Sequence, residues 1–100
     1  MPKDLRFSLL LEYYGSLLNE KQAEMVSSYY DLDLSLSEIA ENEGMTRQGV
    51  RDSIKRAETQ LLEYDQKLGL IEQYSMLKEN YKKAAENGNY SELGEIINNL

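Results

Sequence analysis

The chain has 100 residues, which suits one domain or one domain with a short appendage, and its 18 Asp/Glu against 11 Lys/Arg give a formal net charge of −7. It contains no cysteine and no histidine, which excludes a disulfide framework and leaves the usual zinc, Ser-His and Cys-His sites without their defining residues. The carboxylates are spread along the chain at ordinary surface spacing, so we expect no metal, no cofactor and no enzymatic activity.

The first predicted element is a helix over residues 3–14 that ends at Gly15. Leu5, Leu9 and Tyr13 follow one another at i, i+4 spacing and form its apolar stripe. Charged residues interrupt this apolar run and no small-residue cleavage site follows, so the segment is not a signal peptide. No stretch of the chain approaches the ~20 apolar residues of a membrane span, and we therefore expect a cytoplasmic protein that does not contact a membrane.

Helix-forming residues dominate the rest of the chain, the only proline is Pro2, and β-branched residues are few, which together predict an all-α fold. The second helix is predicted over residues 20–30, because Asn19 and Gln22 have the spacing of a capping box. We expect four of its residues to face the core, namely Ala23, Val26, Tyr29 and Tyr30.

The next two helix starts follow closely. Ser35 and Glu38 repeat the capping-box pattern and predict a short helix that ends near residue 43, where Gly44 can take the left-handed conformation that closes a helix. Thr46 is the expected N-cap of a fourth helix. No stop signal appears before Gly69, so this helix is predicted to exceed roughly twenty residues.

The C-terminal third is predicted to form a helix from residue 70 to about 86, a turn at residues 87–89 and a last helix over residues 90–99. We accordingly expect a helical domain over residues 1–68 and a C-terminal helical hairpin or dimerisation extension over residues 69–100. Apolar and aromatic residues at heptad-like spacing cross this boundary, namely Ile54, Ala57, Leu61, Tyr64, Leu68 and Ile71. The start of this stripe belongs to the monomer core, and a homodimer through residues 61–100 is one hypothesis for the remainder.

Two helices joined by a turn of about three residues indicate a helix-turn-helix over residues 35–57. Ala40 is the small residue that lets two crossing helices approach, Gly44 takes the turn, and Val50 fills the core from the second helix. The predicted motif core comprises Ile39, Ala40, Gly44, Met45, Val50 and Ile54.

The second helix of such a motif lays its N-terminal part in the major groove of DNA. The candidate nucleic-acid-binding residues on its outer side are Thr46, Arg47, Gln48, Arg51, Lys55 and Arg56. Arg bridges guanine O6 and N7 and Gln bridges adenine N6 and N7, so Arg47, Gln48 and Arg51 are the candidate base readers. Thr46 and the free N–H groups at the helix start suit a phosphate, and the two remaining cations reach backbone on either side. The same pattern is also compatible with an ordinary solvated helix face.

The charge distribution singles out this helix. Residues 46–60 carry four Lys/Arg against two Asp/Glu, whereas residues 1–45 carry three against nine and residues 61–100 carry four against seven. The acidic body repels DNA everywhere except at the reading face and limits affinity, because four cations on four phosphates give a salt slope of only about −3.6. Useful DNA binding therefore requires a dimer or a partner.

The stretch over residues 18–63 resembles region four of bacterial sigma factors, the part that reads the upstream promoter element. It shares a Leu-Asn-Glu-Lys-Gln opening, a Leu-Ser-Glu-Ile-Ala helix and a Thr-Arg start of the recognition helix. It departs from that pattern in its acidic body and in carrying Asp52 and Glu58 on the recognition helix.

Residues 5–75 more closely resemble the YlxM family of small bacterial helix-turn-helix proteins, which are encoded beside the genes for the signal recognition particle protein and its receptor. The Tyr-Tyr-Gly-Ser-Leu-Leu run at residues 13–18 and the segment 47–57 carry this resemblance. It implies a regulatory role in the signal recognition particle pathway. Carried over by position, it implies DNA contacts by Arg47, Gln48, Arg51 and Lys55.

Two functions remain open at this point. In the first, the chain is a DNA-binding regulator that reads its site with the helix that begins after Thr46. In the second, the helix-turn-helix is a scaffold and the acidic body is an interaction module for a basic partner, such as the signal recognition particle protein or its ribonucleoprotein, without sequence-specific DNA binding. Binding of the particle's RNA is a variant of this second function.

Overall fold

A computed structural model of the chain describes residues 3–86. Within that range the chain forms five α-helices, one 3-10 turn at Gly15–Leu17 and no strand, which confirms the predicted all-α fold. The helices are α1 (Arg6–Tyr14), α2 (Glu20–Tyr30), α3 (Leu36–Glu43), α4 (Arg47–Leu68) and α5 (Leu70–Glu86). The predicted turn at residues 87–89 and the predicted helix at residues 90–99 lie outside the described residues.

The chain divides into two compact units at the junction of Leu68 and Gly69. In the first unit, α1, α2 and α3 all pack against the long helix α4. The second unit contains α5. No helix within residues 3–86 is both long enough and apolar enough to cross a membrane.

Local capping sets the ends of the central helices, as predicted. The Asn19 side chain accepts the backbone N–H of Gln22 at 2.8 Å, and the Gln22 side chain accepts the backbone N–H of Asn19 at 3.3 Å. Ser35 and Glu38 make the same pair of bonds at the start of α3, both at 3.1 Å. Each box satisfies two backbone donors that a helix start otherwise leaves without partners.

The first helix begins at Arg6 and not at residue 3 as predicted, because the residues before it are used in other ways. The ammonium of Lys3 donates to the backbone oxygens of Tyr29 at 2.7 Å and Leu34 at 2.9 Å, and so anchors the N-terminal segment to the end of α2. Asp4 accepts the backbone N–H of Arg6 at 3.0 Å and pairs with its guanidinium at 2.6 Å. Through these hydrogen bonds and its charge, Arg6 holds the pKa of the Asp4 carboxyl below its usual value.

The buried stripe of α1 differs from the predicted one. Phe7, Leu10 and Tyr14 are buried, whereas Leu5 and Leu9 are exposed. Both sets have helical spacing, so the sequence pattern alone does not choose between them. Contacts with distant residues determine which set is buried. The ring centroids of Phe7 and Tyr30 are 5.4 Å apart, and the hydroxyl of Tyr14 donates to Asp65 at 2.7 Å.

Helix α2 faces the core with Val26, as predicted, and also with Met25, which the prediction omitted. The other three predicted inward residues, Ala23, Tyr29 and Tyr30, are half-buried. On α4 the residues Ile54, Ala57 and Leu61 are buried. The start of the heptad-like stripe therefore belongs to the core of the first unit.

Candidate nucleic-acid interface

Helices α3 and α4 form a helix-turn-helix with a three-residue connection. Gly44 ends α3 in the left-handed conformation, with φ 64° and ψ 34°, and its N–H donates to the backbone oxygen of Ala40. The N–H of Met45 donates to the same oxygen at 3.0 Å. This closing turn redirects the chain within a few residues, so that α4 starts beside the end of α3.

Thr46 caps α4. Its hydroxyl oxygen accepts the backbone N–H of Gly49 at 3.0 Å. A Cβ atom at residue 49 would lie 3.0 Å from that same oxygen, which is closer than real Cβ contacts normally are. The absence of a side chain at Gly49 therefore makes room for the cap, a role that the sequence analysis missed because the pattern shows only a glycine inside a helix.

The inner side of α4 joins the core of the motif. Val50 and Ile54 are buried in one cluster with residues of α2 and α3, namely Met25, Ile39 and Ala40. Met45 is half-buried against the same cluster. Because these contacts fix the rotation of α4 about its own axis, the opposite side of the helix faces solvent.

All six candidate nucleic-acid-binding residues are exposed: Thr46, Arg47, Gln48, Arg51, Lys55 and Arg56. Arg47, Arg51 and Lys55 follow one another at i, i+4 and i+8, so they form a row that extends roughly 12 Å along α4. The ion pairs of the described residues are Lys3–Asp33, Arg6–Asp4 and Lys21–Glu43. The four cations of α4's first three turns take part in none of them, and their charges are free to meet an anion.

The basic row borders a cleft of about 670 Å³. Its other sides come from the N-terminal segment, the end of α2 and the start of α3. They carry three carboxylates, those of Asp4, Asp33 and Glu38, and the next turn of α4 adds Glu58. A phosphate inside the cleft would therefore meet carboxylates as well as arginines, so the outer edge of the basic row is the more favourable place for an anion.

A smaller depression of about 410 Å³ lies between Leu36 of α3 and the first two turns of α4. Arg47, Gln48 and Arg51 line it. The candidate base readers thus share one surface with the start of α3. In a helix-turn-helix the first helix crosses the DNA backbone while the second enters the groove, and this arrangement fits that geometry.

A further polar contact lies on the outer side of α4. The amide nitrogen of Gln48 donates to Oδ1 of Asp52 at 2.9 Å. From the sequence, Asp52 stands out only as a departure from the sigma-factor pattern. The i, i+4 spacing of an amide and a carboxylate on a helix is the signal that indicates such a pair.

Within residues 3–86, no group of three or more His, Cys, Asp or Glu side chains is arranged to hold a metal ion. Apart from Asp52, the polar groups of the interface are arginines, a lysine, a glutamine and a threonine. These are side chains that bind anions and base edges.

Comparison with known proteins identifies relatives along the whole chain. The family model described as "Putative helix-turn-helix protein, YlxM / p13 like" matches residues 1–99. A "UPF0122 protein" of Desulforamulus reducens is 51% identical over 70 residues, which cover 70% of this chain and 60% of that protein. A "UPF0122 protein" of Clostridium kluyveri is 46% identical over 82 residues, covering 82% and 74%. One of Shouchella clausii is 40% identical over 104 aligned positions, covering 100% and 95%.

Proposed function

Because the chain belongs to the UPF0122 family of YlxM/p13-like helix-turn-helix proteins, we propose that it is a regulatory protein that binds double-stranded DNA. The observation that supports this proposal most directly is the row of exposed cations on α4, formed by Arg47, Arg51 and Lys55, none of which forms an ion pair within the described part of the chain. Because these cations take part in none of the ion pairs within residues 3–86, they are available to the phosphates and base edges of DNA.

The exposed residues of α4 divide into those that contact base edges and those that contact phosphates. Arg47, Gln48 and Arg51 lie in the first two turns, which enter the major groove, and donate to base edges there. Lys55 and Arg56 are about 100° apart around the helix, as successive residues are, so they reach the two backbones that flank the groove. Base contacts specify the site and phosphate contacts set the orientation of the protein.

The experiment that tests this function is a selection of bound fragments from genomic DNA of the source organism, sequenced at two salt concentrations. The parent protein is compared with Arg47→Ala/Arg51→Ala. Both side chains are exposed, so the fold should persist. The matched control is Lys82→Ala/Lys83→Ala, which removes two exposed cations from α5.

We expect the parent to enrich one or a few sites that survive moderate salt. The α4 variant should bind those sites at least about tenfold more weakly, and the α5 variant should bind them like the parent. If the α4 variant matches the parent, the assignment of the reading face is wrong. If no fragment is bound by any variant even at low salt, the chain is not a DNA-binding protein.

The acidic surface favours a second candidate function. Glu20, Glu24 and Glu41 are exposed and make no ion pair within the part of the chain that the structure describes. They suit a basic partner, and a component of the signal recognition particle is the partner that the resemblance to the YlxM family implies. Capture of the signal recognition particle protein, lost at raised salt and lost when the three residues are changed to glutamine, would support this function, and no interaction between the purified proteins at low salt would contradict it.

A dimer would give the proposed DNA-binding function the affinity that one copy lacks. Four cations give a salt slope of only about −3.6, and two copies double the number of phosphate contacts. We place the subunit contact in residues 61–100, where Leu62, Met76 and Tyr81 expose 48%, 61% and 51% of their surface. Sedimentation at micromolar concentration tests this, and a monomer would exclude it.

A further inference from the structure

The hydrogen bond between Gln48 and Asp52 fixes the orientation of the glutamine amide. A carboxylate accepts hydrogen bonds and has none to donate, so the amide must present its NH₂ group to Asp52. Its oxygen, Oε1, then points away from Asp52. The contact of 2.9 Å between Nε2 and Oδ1 shows that the two side chains already hold this arrangement in the free protein.

Asp52 is placed where its charge faces outward. It lies two residues after Val50 and two before Ile54, both of which are buried, and it is exposed itself. Arg51, Lys55 and Arg56 are its neighbours on α4, yet none of them forms an ion pair with it within residues 3–86. The bond from Gln48 is the contact that holds the Asp52 side chain on this face.

We propose that Asp52 is a specificity-determining residue that accepts a hydrogen bond from the exocyclic amino group of cytosine, with Gln48 as its positioning partner. This inference rests on the proposed function, since it requires α4 to lie in a major groove. Among the four bases, cytosine presents only a donor, N4, to that groove. Thymine O4 and guanine O6 are acceptors that repel a carboxylate, and adenine has the acceptor N7 beside its amino group.

The negative charge of Asp52 would also let a basic helix discriminate between DNA sites. A carboxylate is repelled by every phosphate, so it weakens binding to DNA in general. The carboxylate recovers this lost affinity only where an amino group of a base donates to it. A wrong base leaves a desolvated carboxylate opposite an acceptor, and the penalty makes Asp52 an element that rejects wrong sites as well as one that accepts the right one.

The test is a selection from a random duplex library with the full chain and four proteins: the parent, Asp52→Asn, Asp52→Ala and Glu63→Gln. Asp52→Asn keeps the size of the side chain but replaces the carboxylate by an amide, which prefers adenine N6 and N7. Glu63→Gln is the matched control, because it removes one negative charge from another exposed position of α4. Circular dichroism verifies that each variant is folded.

We expect the parent to prefer cytosine at one position of its site. Asp52→Ala should reduce that preference at least about fivefold, and Asp52→Asn should shift it to adenine at the same position. Glu63→Gln should keep the preference of the parent. If the parent enriches a site and both Asp52 variants enrich the same one, the inference is wrong while the proposed function stands. If the parent enriches no sequence, both are wrong.

Discussion

The hydroxyl of Tyr30 donates a hydrogen bond to the carboxylate of Glu58, with 2.5 Å between the two oxygens. The bond connects the last residue of α2 to the middle of α4 and lies at the edge of the cleft beside the basic row. It engages the carboxylate that lies three residues after Lys55 on α4. The same contact gives the fold a dependence on pH in the alkaline range.

Burial, followed by the hydrogen bond to Glu58, raises the pKa of Tyr30 above the usual value for tyrosine. The unfolded chain releases this proton at about pH 10, whereas the folded chain retains it. The contribution to stability is therefore fully present below about pH 10 and is lost as the pH rises further. We expect the parent to lose more free energy of unfolding between about pH 8 and about pH 10.5 than Tyr30→Phe does, as measured by urea denaturation.

Tyr81→Phe is the control for this comparison, because Tyr81 is exposed and belongs to the second unit. It should keep the full alkaline loss of the parent. An alkaline loss in Tyr30→Phe as large as that of the parent would show that other groups, and not Tyr30, control stability in this range.

Tyr14→Phe tests the contact between α1 and the C-terminal half of α4. The Tyr14 side chain is fully buried and its hydroxyl donates to Asp65 at 2.7 Å. Removing the hydroxyl leaves the half-buried carboxylate without this donor, so we expect a loss of roughly 1.5–3 kcal/mol in the free energy of unfolding. Asp65→Asn retains an acceptor and should cost less. Equal stability of Tyr14→Phe and the parent in urea would contradict this expectation.

Gly44→Ala tests the turn of the helix-turn-helix. The φ of Gly44 is +64°, and a Cβ atom there would meet no atom within 4 Å, so the cost comes from the backbone alone. We expect Gly44→Ala to lower the free energy of unfolding by about 1–2 kcal/mol. Gly44→Asn should cost less, because asparagine tolerates the left-handed conformation. Thermal denaturation measures both, and an asparagine variant less stable than the alanine variant would contradict the explanation.

Lys55→Ala and Arg56→Ala test which exposed residues of α4 contact base edges and which contact phosphates. Each should weaken binding to specific and nonspecific DNA alike and should reduce the slope of log affinity against log salt by about 1. Arg51→Ala should instead weaken binding mainly to the selected site. Fluorescence anisotropy at several salt concentrations measures these slopes. Loss of site preference in Lys55→Ala would place that residue among the base readers.

The sequence predicted the helices well where the deciding interactions are local. Asn19 and Gln22 are three residues apart, as are Ser35 and Glu38, and each pair makes its two bonds without help from the rest of the chain. Gly44 marks the end of α3 for an equally local reason, because its backbone takes a positive φ.

The predictions failed where partners are distant in the sequence. Lys3 was assigned to the first helix, but it binds backbone oxygens 26 and 31 residues away. The spacing predicts Leu5 and Leu9 on the buried side of that helix. Both are exposed, and Phe7 is buried there instead because its ring packs against Tyr30. A short segment of sequence does not contain both partners of such a contact, so its pattern cannot predict the contact.

For the interface, the sequence indicated which side of α4 faces outward, because the positions of Val50 and Ile54 determine the opposite face. It did not reveal that Asp52 holds Gln48 or that Gly49 makes room for the Thr46 cap. The i, i+4 spacing permits the first of these contacts, but whether it forms depends on side-chain conformation, and the second depends on the 3.0 Å between the Thr46 hydroxyl oxygen and the place of a Cβ atom at residue 49.

Under the proposed function, the separation of the two faces of α4 would make the DNA-reading surface replaceable without change to the core. The buried residues Val50, Ile54, Ala57 and Leu61 hold the helix in place, while the outward residues of its first turns contribute nothing to the core. Substitutions at Gln48, Arg51 and Asp52, all of which are exposed, would then change the preferred DNA site at little cost to folding. Relatives with the same core could diverge in target by changing only these positions, and an engineered variant could be directed to a chosen site in the same way.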